Sequence, residues 1–130
     1  MTRHLGKLSL LVPEYDAGIA HYVGDLGFEL LEDTPLSPTK RWVVVQPEGG
    51  GVALILARAA TPEQKAAIGQ QGGGRVWLFL ESDSFDADYA RMKTAGIHFE
   101  EDPRQEPYGK VAVFRDAFGN RWDLLETKPA

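Results

Sequence analysis

The chain has 130 residues, 43% of them apolar, which is typical of a single globular domain with a substantial core. Its net charge of −5 and scattered basic residues oppose binding to nucleic acid, and the absence of cysteine excludes disulfides and thiolate metal sites. No apolar run is long enough to cross a bilayer, and no signal-peptide pattern precedes the first strand. We therefore expect a cytoplasmic protein with no membrane or nucleic-acid partner.

The first half of the chain predicts a strand, a helix and three further strands. Alternating apolar residues indicate the first strand over residues 8–12. Asp16 is predicted to cap a helix over residues 17–26, and Gly27 to end it. The three strands that follow are predicted at residues 28–33, 41–46 and 52–57, with a glycine turn at 49–51.

The second half repeats this plan, which indicates an internal duplication. We predict a strand, a helix and three strands at residues 76–80, 85–95, 98–101, 111–115 and 121–126, and a loop at 103–109. Between the halves, Thr61 and Pro62 begin a short helix to about residue 69, followed by a flexible glycine-rich joint. We interpret this segment as a connector, although a lid over a ligand is the alternative.

A tight turn over residues 116–120 joins the last two strands, because Asp116 and Asn120 can bond their own backbone and Gly119 allows positive φ. Together with the segments Val12-Pro-Glu-Tyr-Asp16 and Leu26-Gly-Phe28, this turn resembles the glyoxalase/bleomycin-resistance/extradiol-dioxygenase superfamily, also called vicinal oxygen chelate proteins. The family usually has proline where this chain has Ala117.

The resemblance covers nearly the whole chain and implies an α+β fold. Two βαβββ modules, residues about 5–58 and 75–127, would form a curved mixed sheet that encloses a cup, with the helices on the outer face. A linker with a short helix, residues about 59–74, would join them into a single domain spanning residues 1–130. The resemblance also implies a homodimer.

Metal-dependent members of that family hold a divalent ion in the cup with His, Glu or Gln from four strands. Carried over strand by strand, those positions fall at Lys7, about Ala53, about Trp77, and Asp123. A protonated lysine cannot ligate a metal, and alanine and tryptophan offer no donor, so Asp123 alone is suitable. We therefore expect no metal cofactor.

The same positions suggest a ligand site. Lys7 and Asp123 would replace the metal beside Trp77, and we hypothesise that they form a salt bridge that either plugs the cup or anchors a polar ligand. Aromatic strand residues suit flat ligands, and the predicted loop at 103–109 could supply rim contacts. The candidate ligand-binding residues are Lys7, Trp42, Trp77, Phe79, Arg104, Tyr108 and Asp123.

Three functions remain open. We favour a metal-free protein of the bleomycin-resistance kind that binds an aromatic or cationic small molecule in the cup. The second is an enzyme, either a glyoxalase-like lyase or isomerase or an extradiol-type dioxygenase, that uses a divalent metal such as Zn, Ni, Mn or Fe or a metal-free acid–base mechanism. The third is a protein whose cup is filled and whose role is association.

Overall fold

The apolar strands of the chain fold into two separate mixed sheets, one in each half. The structure, a computed structural model, describes residues 1–127 and divides into a first unit, Met1–Ile68, and a second unit that begins at Gly69. Both units begin with a strand and a helix and continue with further strands, which confirms the predicted α+β class. No helix within residues 1–127 is long and apolar enough to cross a membrane.

The first unit contains one four-stranded sheet. Its elements are β1 (Lys7–Val12), α1 (Tyr15–Ile19), a π-helical turn (Ala20–Asp25), β2 (Glu29–Pro35), β3 (Arg41–Gln46), β4 (Ala53–Arg58) and α2 (Pro62–Ala67). The strand order is β1-β4-β3-β2, in which β1 and β4 are parallel and the other pairs antiparallel. Leu10, Val12, Val43, Val45 and Leu56 are fully buried and form the core.

The predicted helix over residues 17–26 is instead α1 followed by the π-helical turn. The prediction that Asp16 caps it is wrong, because the helix begins at Tyr15, which is buried, and the N-cap residue is Glu14. Asp16 lies in the first turn, where its carboxylate accepts a hydrogen bond from Arg41 at 2.8 Å. Gly27 ends the helical segment with φ +76, as predicted.

The second unit contains one five-stranded sheet and one long helix. Its elements are β5 (Val76–Ser82), α3 (Phe85–Thr94), β6 (His98–Phe99), β7 (Arg104–Glu106), β8 (Gly109–Arg115) and β9 (Arg121–Glu126). The strand order is β5-β9-β8-β6, with β5 and β9 parallel, and β7 also pairs with β8. A chain of ring contacts runs from α3 into the sheet and forms the core: Phe85, Tyr89, Phe99, Phe114 and Trp122.

Two segments of the second unit differ from the sequence predictions. The predicted loop at 103–109 forms β7 and the start of β8, because Arg104 pairs with Val111 across an antiparallel hairpin. The joint predicted to be flexible is a series of hydrogen-bonded turns, in which Gly73 N–H donates to Gln70 O and Arg75 N–H to Gly72 O. The joint therefore has a definite shape.

Candidate ligand-binding site

The position of Asp123 follows from the alternation of side chains along β9. Trp122 and Leu124 are 3% and 0% exposed, so Asp123 lies on the opposite face of the sheet. The register places Phe79 of β5 on one side of it and Val113 of β8 on the other. We call the face that carries these three side chains the Asp123 face.

The turn at residues 116–120 fixes where β9 begins. One carboxylate oxygen of Asp116 accepts hydrogen bonds from the N–H groups of Phe118 and Asn120, each at 3.0 Å. The other accepts from Asn120 Nδ2 and Trp122 Nε1, also at 3.0 Å. Asp116 is buried, so this predicted turn is a rigid anchor for the strand that carries Asp123.

Asp123 is in an unfavourable electrostatic setting. Burial raises the pKa of its carboxyl above the ordinary value, and Glu101 raises it further, whereas Arg104 and Arg121 oppose the shift. Its Oδ1 is buried and receives no hydrogen bond from any residue among 1–127. A partly desolvated carboxylate without a donor is costly, and such groups are enriched at functional sites.

Arg104 and Tyr108, expected in a rim loop, lie on the β7–β8 hairpin instead. The Arg104 guanidinium donates to Glu101 at 3.1 Å and to Glu106 at 2.7 Å. Hydrogen bonds with Glu106 and Tyr108 are the largest causes that raise the pKa of Arg104. Arg104 is therefore bonded to several partners, and its positive charge lowers the pKa of Asp123 from a distance.

The aromatic candidates occupy different environments. Phe79 is 60% exposed and lies directly opposite Asp123. Trp77 is half-buried and lies where the register of the β5–β9 pairing shifts, between Val76 and Leu78. It lines a cleft that also contains Arg75 and Arg121. Trp42 is half-buried in the first unit, where it pairs with Thr34.

Lys7 lies in the first unit at the start of β1, is exposed, and pairs with Ala53. The structure thus places Lys7 and Trp42 in the first unit and the other five candidates in the second. Within the second unit it brings Phe79 and Asp123 together, and Arg104 close enough to affect the pKa of Asp123. The ion pair between Lys7 and Asp123 and the ligand-binding role of all seven residues stay predictions.

A divalent metal does not fit the side chains at these strand positions. In the first unit the two positions are the direct pair Lys7 and Ala53, and in the second they are Trp77 and Asp123, with Phe79 opposite Asp123. Ammonium, methyl, indole and phenyl groups cannot donate a lone pair to a metal, so Asp123 is the single suitable ligand of the set. Within residues 1–127, no three His, Asp or Glu side chains are grouped to hold an ion.

Two residues that act on Asp123 were not found by sequence reasoning. Arg121 precedes Asp123 by two positions in the same strand, so the alternation of the strand could have placed it on the same face. Glu101 gave no such signal, because it reaches the site through long-range pairing. Its carboxylate accepts the N–H of Val113 at 2.9 Å and two bonds from Arg104.

Comparisons with known proteins agree with this architecture. A family model described as the Glyoxalase/Bleomycin resistance protein/Dioxygenase superfamily matches residues 4–124. An uncharacterized protein of Shewanella frigidimarina (strain NCIMB 400) is 51% identical over 128 residues, which cover 97% of this chain and 95% of the relative.

Two solved structures also match closely. UcmS2 has a TM-score of 0.81 and 29% sequence identity, with 96% of this chain and 98% of that chain covered. TnmS3, an antibiotic binding protein from Streptomyces sp. CB03234, has a TM-score of 0.78 and 30% identity, with 98% of each chain covered. The likeness extends over essentially the full length of each protein.

Proposed function

Because this chain belongs to the Glyoxalase/Bleomycin resistance protein/Dioxygenase superfamily, we propose that it binds a small organic molecule, without a metal ion, on its Asp123 face. One observation carries the proposal: a buried carboxylate oxygen of Asp123 has no donor among residues 1–127, and the exposed ring of Phe79 lies directly opposite that residue. The likeness to TnmS3, an antibiotic binding protein, supports the small-molecule class.

The chemistry of the two side chains defines the ligand. A desolvated carboxylate gains most from a cationic or N–H donor group, because a charge-assisted hydrogen bond offsets its burial. A phenyl ring stacks on flat apolar groups. The ligand is therefore an aromatic molecule with an amine or another strong donor. Trp77, Arg104 and Tyr108 are proposed as further contacts from the second unit, and Lys7 and Trp42 from the first.

A metal-dependent lyase, isomerase or dioxygenase is not favoured, because the donor set at the strand positions does not suit a divalent cation. Metal analysis of protein purified without chelator tests this directly. Stoichiometric Zn, Ni, Mn or Fe that survives dialysis would overturn the metal-free proposal. The homodimer stays a prediction, which light scattering during gel filtration tests, and so does the cytoplasmic location.

The binding proposal is tested in two steps. A thermal-shift screen of planar aromatic amines should find compounds that raise the melting temperature, because a ligand that binds the folded state stabilises it. For each such compound, calorimetry should show that Phe79→Ala and Asp123→Asn each weaken binding about tenfold, the size of one lost ring contact or charged hydrogen bond.

Leu36→Ala is the matched control, because Leu36 is another large apolar residue that is 56% exposed but lies in the first unit. It should leave affinity unchanged. Compounds that bind both site variants as tightly as the unaltered protein would refute the assignment to the Asp123 face.

A further inference from the structure

A cleft of about 90 Å³ lies in the second unit, where the glycine-rich joint meets the turn before β9. Its wall is formed by residues of the segments 69–77 and 115–121. Three arginines, Arg75, Arg115 and Arg121, are part of this wall. We call it the arginine cleft, and it concentrates positive charge in a chain whose net charge is −5.

Two of these guanidinium groups are held in place. Arg121 Nε donates to Glu100 at 2.8 Å and its Nη1 to the carbonyl of Gly74 at 3.1 Å. Arg115 Nη1 donates to the carbonyl of Gly119 at 3.1 Å, and its Nε lies 3.5 Å from the same Glu100 carboxylate. One carboxylate thus serves two arginines, so the pair keeps a net positive charge.

Arg75 adds a third positive charge. Its side chain is exposed and makes no hydrogen bond or ion pair with residues 1–127. The carboxylate of Asp116, next to Arg115 in the chain, keeps its negative charge because its donors are neutral N–H groups, so together with Glu100 it sets two carboxylates against three arginines. The arginine cleft therefore has cationic donors in excess of its acceptors.

The backbone adds two neutral donors. Gly72 and Gly74 are part of the wall, and their N–H groups donate to no residue among 1–127. A side chain at position 72 would lie 2.6 Å from Trp77 Cβ, so the absence of a Cβ lets the joint fold closely over that ring. N–H groups without an acceptor in such glycine turns are typical of anion-binding concavities.

We propose that the arginine cleft binds a small oxyanion, a carboxylate or phosphate group, through Arg75, Arg115 and Arg121 and the two glycine N–H groups. A planar guanidinium matches both kinds of group with paired hydrogen bonds. A volume of about 90 Å³ holds a few water molecules or one such group, and it is too small for a whole drug-sized molecule. The proposal does not depend on the ligand of the Asp123 face.

Titrations of ¹⁵N-labelled protein with inorganic phosphate and, separately, with acetate test the proposal by NMR at constant ionic strength. At least one anion should give saturable shifts of the Gly72 and Gly74 amides and of the Trp77 indole N–H. Tighter binding of phosphate would identify a phosphate site, and tighter binding of acetate a carboxylate site.

Arg75→Gln should weaken that binding about tenfold, the size of a lost charged hydrogen bond. The variant should fold normally, since Arg75 is exposed and its side chain has no partner within residues 1–127. Arg3→Gln, an exposed residue of the first unit, removes the same charge and should have no effect. Absence of saturable shifts with both anions, or equal affinity in the two variants, would overturn the proposal.

Discussion

Replacement of Asp116 by alanine should greatly lower the free energy of unfolding of the second unit. The side chain is 5% exposed and accepts four hydrogen bonds, each at 3.0 Å. Three of the donors belong to Asn120 and Trp122, which are 2% and 3% exposed. The substitution therefore removes an acceptor from groups that water does not reach.

The magnitude follows from the number of buried donors. Each donor left without a partner costs roughly 1–3 kcal/mol, and water that enters the space of the lost carboxylate restores part of this. We therefore expect a loss of about 3–5 kcal/mol in the free energy of unfolding. A domain of this size has a total stability of about 5–15 kcal/mol, so the effect is large.

Urea unfolding, followed by tryptophan fluorescence and circular dichroism, measures the change. Asp102→Ala is the control, because Asp102 is an exposed acid of the same unit whose side chain makes no hydrogen bond or ion pair within residues 1–127, and it should change stability by less than about 0.5 kcal/mol. A loss below about 1 kcal/mol in Asp116→Ala would show that the turn does not depend on this carboxylate.

Two further substitutions test the site and its support. The pKa of the Asp123 carboxyl is raised in the folded state, so the folded protein keeps the carboxyl protonated at a pH where the unfolded chain has already released the proton. The contribution of Asp123 to the free energy of unfolding should therefore fall as pH rises from about 3.8 through the raised pKa. We would measure urea midpoints between pH 3.5 and 7 and subtract the midpoint of Asp123→Asn from that of the unaltered protein. This difference should fall as pH rises, and a difference that rises with pH would contradict the prediction. Gly69→Ala should destabilise by about 3 kcal/mol or more, because Gly69 has φ +73 and an added Cβ would collide with the Phe118 carbonyl. Gly73→Ala, with φ +66 but open space around it, should cost about 1 kcal/mol in the same urea assay, and an equal cost for both would refute the close contact.

Elements with strong local signals were predictable from the sequence. The strands at 41–46 and 121–126 were predicted with the bounds that the structure shows, because their apolar residues are flanked by turn residues. The N-cap role of Thr61 is confirmed by the bond from Gln64 N–H to its hydroxyl at 3.1 Å. These features depend on neighbours within a few positions.

Features that depend on distant residues were missed. Pro103 and Pro107 indicated a loop, yet the pairing of residues 104–106 with β8 makes that segment a strand. Phe79 and Asp123 were both predicted as ligand-binding residues, but the shift of register at Trp77 was not predicted. The effect of Glu101 on Asp123 and the existence of the arginine cleft could not be predicted from the sequence either, because each depends on segments that only folding brings together.

Each sheet places its first strand in parallel beside its last, and this arrangement has a kinetic consequence. Lys7 meets Ala53, and Val76 meets Arg121, each pair about 45 positions apart. The entropy of closing such a loop is lost before the parallel contacts compensate for it, so hairpins such as β8–β9 should form early and the opening strand should join late. During synthesis on the ribosome, β1 must therefore wait for β4 to emerge, and until then its unpaired edge is exposed to aggregation.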